Sequence, residues 1–153
     1  GLKGAIPLYT SSVVDEVSLP QQKELALGVF GVSQWGYDMD NPTNKRYVAD
    51  YKAKHKTYPS AYGAQTYDAV ALIDSAVKAV NGDLAKKDEM RRAMEKADFK
   101  SVRGDFRFGK NHVPVQSFYL QAAEKLDDGY AMKTGEQIVA GDVDKYVDKC
   151  DMK

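Results

Sequence analysis

The sequence is poor in the residues from which most active-site chemistry is built. It has one cysteine, Cys150, and two histidines, His55 and His112. A single cysteine cannot close a disulfide within the chain. Cys150 is therefore either a free thiol near the end or half of a bridge to a segment not present. No Cys/His cluster has zinc spacing, so neither a metal site nor a cofactor is expected. No run of about 18 apolar residues occurs, so no helix is expected to cross a membrane. Lys plus Arg number 22 and Asp plus Glu number 22, leaving no net charge. That balance removes the main electrostatic support for a nucleic-acid partner. GxSxG, GxGxxG and P-loop patterns are all missing. Ser11 and Ser12 have no histidine close to them in sequence. An enzyme, the competing class, is not expected. The chain opens on Gly1-Leu2-Lys3 with no initiator Met and no signal peptide, which reads as the middle of a longer protein or a cleaved piece of one.

What is present fits one soluble globular unit. The chain has 153 residues, 43% of them hydrophobic and 29% charged. A chain of this size can bury roughly 68–70% of its unfolded surface. "AIPLYTSS", Ala5 to Ser12, predicts a short buried strand running into a hydroxyl-rich loop. "LPQQKELALG" predicts a weak helical turn closed at Gly28, and Gly28 to Trp35 a second strand. Pro42 can open a helix, with Tyr47, Val48 and Tyr51 as its apolar stripe and Pro59 limiting its end. Ser60 is a candidate N-cap for the strongest helix, whose stripe is Tyr67, Val70, Ile73, Val77 and Val80 and whose stop is Gly82. Met90, Ala93, Met94 and Ala97 give the next segment one apolar side, a pattern that belongs to a core face. Alternation of strands and helices predicts an α/β fold: parallel-sheet layers with flanking helices.

"SVRGDFRFGKNHVPVQSFYL" breaks that rhythm. Phe106 and Phe108 alternate with Arg107, and Val113, Val115, Ser117 and Tyr119 alternate with their neighbours. This predicts a hairpin turning at "GKNH", with Gly109 or Asn111 able to take positive φ. Arg103-Gly104-Asp105 leads straight into the first strand, so the tripeptide is read as structural and not as an adhesion ligand. Beyond it, "LDDGYA" predicts a turn, "GEQIVA" a short strand, and the end a helical turn.

Four segments carry a resemblance, in order and with matching gaps. They are "LKGAIPLYTSS", "DNPTNKRYVADYKAKHKTYPSAYGAQTYDAVALIDSAVKAV", "FKSVRGDFRFGKNHVPVQSFYL" and "DKYVDKC". Together they resemble the C-terminal part of the type I periplasmic solute-binding proteins of ABC importers, the receptors for branched-chain amino acids, hydrophobic amino acids and aromatic acids. Members run to more than twice this length. The resemblance implies a two-lobed fold in which residues 1–33 belong to the second lobe, 34–117 to the first, and 118–153 return to the second as a tail. It implies ligand contacts from Thr10, Ser11 and Ser12 in the loop after the first strand, and from Tyr62 at the start of the long helix. Trp35 and Tyr37 fall near the inferred hinge. Where branched-chain receptors carry an acid in that loop, this chain has hydroxyls, and the nearest acid considered is Asp15. This departure favours a ligand without an ammonium group, such as an aromatic carboxylate. The resemblance further implies an extracytoplasmic location, an ABC permease as partner, and half of the pocket supplied by a missing N-terminal half or by a second copy of the chain. The alternative is a ligand-sensing regulatory domain of the same fold.

Overall fold

The computed structural model describes residues 4–11 and 13–152. The elements run β1 (Tyr9–Thr10), α1 (Leu19–Gln22), β2 (Phe30–Ser33), α2 (Pro42–His55), α3 (Ala61–Ala79), α4 (Lys87–Lys96), β3 (Arg107–Phe108), β4 (Pro114–Leu126) and β5 (Gly129–Asp142). The expected α/β fold with flanking helices is present. Its sheet is mixed: β1 and β2 pair in parallel, while β2, β3 and β5 all run antiparallel to β4.

Long β4 is the spine of the sheet. Its first residues, Pro114 and Val115, pair with β3, and Tyr119 to Ala122 pair with β2. The same strand pairs with β5 almost from end to end. Register shifts fall between Gln116 and Gln121, and such bulges bend and twist a strand. The expected turn at "LDDGYA" is the β4–β5 hairpin, and the short strand expected around "GEQIVA" extends over fourteen residues. In the turn between β3 and β4 the positive φ is taken by His112, at 59°, and not by Gly109 or Asn111.

The first strand is shorter and more exposed than its sequence suggests. Two residues form β1, and Ile6, Leu8 and Tyr9 are exposed. Apolar character predicts burial only when another layer lies against it, and here β1 is the edge of the sheet.

Both principal helices start where their caps place them. The Asn41 carboxamide accepts the N–H groups of Thr43 and Asn44, and the Ser60 hydroxyl accepts that of Gly63. On α2, Tyr47 and Val48 are buried and Tyr51 packs beside them, as the stripe predicts. On α3 the buried residues are Ala64, Asp68 and Ala76, while Tyr67, Val70 and Ile73 of the predicted stripe face solvent. Small alanines let the helix approach the core closely, and Asp68 is tolerated there because its oxygens are satisfied. Its carboxylate accepts from the Ser101 hydroxyl at 2.6 Å, the Val102 N–H at 2.9 Å and the Arg103 Nε at 2.9 Å. Arg103 also donates to Gln116 Oε1 at 3.1 Å. This network is what the Arg-Gly-Asp tripeptide does: its arginine is tied to a buried acid and is not free to project.

Two clusters make the core. Trp35, Tyr47, Val48, Ala64 and Val102 form one; Leu19, Ala26, Ala123 and Met132 form the other. The crossing from β2 to α2 packs on the first, through Trp35, Tyr37 and Met39. Cys150 is a free thiol, half-buried after a terminal 3-10 turn.

Candidate functional site

The site begins with a turn after β1. Asp15 Oδ1 accepts the N–H groups of Val17 at 3.1 Å and Ser18 at 2.9 Å, and Ser18 Oγ accepts the Asp15 N–H at 3.1 Å. These bonds close the turn that leads into α1, whose own N-cap, Ser18, makes no side-chain capping bond. They also commit Asp15, the acid nearest the hydroxyl loop, to holding the turn.

Glu16 goes the other way. It lies in the turn that leads into α1, three residues before buried Leu19. Only 7% of Glu16 is exposed. Its Oε1 accepts the Met132 N–H from β5 at 3.1 Å. Burial pushes its carboxyl up from 4.5 to about 7; the Met132 N–H and its own backbone N–H pull it partly back, and the charges of Asp15 and Asp38 add to the rise.

Trp35 forms the second wall. It is 1% exposed, and its Nε1 donates to Asn44 Oδ1 at 2.7 Å. Asn44 is fully buried in α2 and donates to the Gly36 carbonyl at 3.0 Å. From β4, Gln121 Nε2 donates to the Trp35 carbonyl at 3.0 Å. The indole is thus held by α2 and the backbone of the same residue by β4, so the chain after β2 is tied to both helix and sheet. Gly36 is required here: a Cβ would lie 1.9 Å from Thr134 Oγ1.

The third wall is the first turn of α3. Between these walls lies a cleft of about 220 Å³ whose lining includes Ser11, Glu16, Ser33, Trp35, Tyr62 and Gln121. It is smaller than the roughly 300–1,000 Å³ of drug-sized sites, which suits a small solute. Among the described residues no Lys, Arg or His lines it. A larger groove of about 840 Å³ runs between α2, α3 and α4. Its charges are exposed, with Lys78 paired to Asp74 and Arg46 to Asp50, so it offers no buried charged group to a ligand.

Of the residues expected to contact a ligand, Ser11 and Tyr62 line the same cleft although 51 positions separate them in sequence. Thr10 does not line it; its Oγ1 accepts the Val13 N–H at 3.4 Å. Ser12 lies outside the described residues. Trp35 is both core and wall. Tyr37 packs edge-on against Tyr58 at 4.8 Å and is not part of the lining. Glu16 and Gln121 are additions that only the structure supplies. No local pattern marks Glu16, which lies in the turn ahead of α1. Nothing local marks Gln121, whose partner carbonyl is 86 residues away.

Comparison with known proteins bears on this arrangement. A family model described as periplasmic binding protein matches residues 1–129. Comparison with curated proteins gives no match. Among solved structures, the chain is similar to an ABC-transporter solute-binding protein from R. palustris in complex with benzoate, at 33% identity and a TM-score of 0.82. That match covers 92% of this chain and 38% of the other. It is similar to an ABC-transporter substrate-binding protein from Sphaerobacter thermophilus at 30% identity and a TM-score of 0.81, covering 93% of this chain and 39% of the other. A solute-binding protein from Rhodopseudomonas palustris BisB5, in complex with 3,4-dihydroxybenzoic acid, matches at 25% identity and 0.79, covering 92% and 39%. The chain therefore spans less than two-fifths of the length of these solved relatives.

Proposed function

Since the chain belongs to the periplasmic binding protein family, we propose that it is the C-terminal part of an extracytoplasmic receptor that delivers a small aromatic carboxylate to an ABC permease. The reading is non-enzymatic. The observation that carries it is the cleft in which Ser11, Trp35 and Tyr62 meet, with hydroxyl, indole and phenol groups arranged around a small volume. Buried polar ends of a solute need hydrogen-bonding partners, and its ring needs an apolar or aromatic wall. The relatives solved with benzoate and with 3,4-dihydroxybenzoic acid support the aromatic class.

On this reading residues 1–33 and 118–153 belong to one lobe and 34–117 to the other. The bulged stretch of β4 near Ser117 and the Gln121–Trp35 hydrogen bond lie beside the two crossings, where a hinge between lobes belongs. The remaining side of the pocket comes from the rest of a longer protein or from a second copy of this chain.

A thermal-shift panel tests the function. Benzoate, 4-hydroxybenzoate and leucine are each added to the chain and to its Tyr62→Ala and Ser11→Ala variants. A ligand at ~100 times its Kd adds about 2.7 kcal/mol of stability. The expected result is a shift with an aromatic acid that is reduced in both variants. A shift with leucine alone would refute the aromatic class, and shifts insensitive to both substitutions would refute the site.

A further inference from the structure

Of the hydroxyl-rich loop, Ser11 offers the cleft one polar group. It does not account for the buried acid beside it. Glu16 is more than nine-tenths buried, lines the cleft, and has a backbone N–H of β5 on one oxygen. Among the described residues no side-chain donor reaches its carboxyl, and no cation lines the cleft. A carboxylate buried without a charged partner is costly unless a donor meets it. A ligand's own carboxylate cannot be that donor, and it would be repelled by Glu16 and Asp15 together.

We infer that Glu16 selects a ring-hydroxylated aromatic acid, accepting a hydrogen bond from the ring hydroxyl while the ligand's carboxylate faces away from this wall. The inference rests on the aromatic-acid reading above and names its subclass. The walls fit: exposed Tyr62 offers a ring surface, buried Trp35 backs the cleft from the core, Val14, Val32 and Met132 offer apolar contact, and Glu16 stands among them as the acceptor. A neutral hydroxyl meets this acceptor without burying a second charge. An ammonium would meet Glu16 as a counter-charge instead, the competing outcome that binding of leucine reports.

The groups that face Glu16 set how the preference responds to pH. Asp15 lies on its own turn, Tyr37 and Asp38 on the segment after β2, and Lys133 beside Met132 on β5. Lys133 is engaged by Asp38 at 2.8 Å, so its charge is not directed at Glu16. With its carboxyl titrating near 7, Glu16 is mostly ionised at pH 8 and mostly protonated at pH 5.5. Neither a phenol near pKa 10 nor an aromatic carboxylate near 4 changes charge across that interval.

The test is calorimetric titration of the chain and of Glu16→Gln with benzoate and 4-hydroxybenzoate at pH 8 and pH 5.5. The quantity read is the ratio of the two affinities. Glutamine keeps an oxygen for the Met132 N–H, so the turn stays supported, and a thermal melt of each sample verifies folding. The expected result is a preference for the hydroxylated acid of about tenfold at pH 8, the scale of a hydrogen bond to a charged group. The preference shrinks at pH 5.5 and falls toward unity in Glu16→Gln at both pH values. An equal ratio in wild type and variant, independent of pH, overturns the role of Glu16 and leaves the aromatic-acid function standing. Binding of leucine with no binding of either aromatic acid overturns the function, and this inference with it.

Discussion

Replacing Glu16 by glutamine should change how stability depends on pH, even with no ligand present. The carboxyl is raised from 4.5 to about 7 in the folded chain, chiefly because burial disfavours its charge. The folded state therefore binds more protons than the unfolded state between those two values. By linkage, stability falls as pH rises across that window. The contribution is fully present below about 4.5 and is lost by about 7. Each pKa unit corresponds to about 1.36 kcal/mol, so this one group accounts for about 3 kcal/mol in order of magnitude. Urea unfolding at pH 5, 6, 7 and 8, followed by the fluorescence of the single tryptophan, Trp35, measures it. The two curves should converge at low pH and separate by about 3 kcal/mol at pH 8, with the glutamine variant the more stable. Exposed carboxylates such as Asp40 and Asp128, held low by lysine partners, act at more acid pH and are common to both proteins. Parallel curves for wild type and variant would refute the buried, uncompensated acid.

Two substitutions probe the frame around the cleft. Asp68→Ala removes the acceptor of three hydrogen bonds and strands Arg103, which is 11% exposed. It should cost about 3–5 kcal/mol in urea unfolding, and a loss under about 1 kcal/mol would show that the network is not the anchor of the β3 approach. Gly36→Ala forces a methyl against Thr134 Oγ1 and close to Gln121 Nε2. About 1–3 kcal/mol of destabilisation by thermal melting is expected, together with a red-shifted Trp35 emission; an unchanged spectrum would mean that the crossing is not tightly held.

Much of the local structure is legible in the sequence because it is decided locally. Asn41 and Ser60 cap helices through their own next turn. Gly82 stops α3 with φ at 79°, a conformation open to glycine without strain. The β3–β4 hairpin follows from alternation on either side of a polar turn. The stripe of α3 misleads for the opposite reason. Tyr67, Val70 and Ile73 mark a face that suits burial, but burial also needs something packed on that face, and periodicity carries no information about what that is. The same holds for Ile6 and Leu8 beside β1.

The family, the α/β class and two of the residues that line the cleft were within reach of the sequence. These depend on the order and spacing of segments and on the chemistry of individual side chains. Which acid is buried, which hydroxyl reaches the cleft and what holds Trp35 in place were decided only by tertiary structure. Asp15 and Glu16 are adjacent and chemically alike, and the hydrogen bonds of one turn take up the carboxylate of the first at the edge of the cleft and leave the second to enter the interior. The bonds that finish the site join Glu16 to Met132 and Gln121 to Trp35, across 116 and 86 positions. Contacts over such separations arise from the pairing of β4 with β2 and β5, which no local pattern of residues encodes.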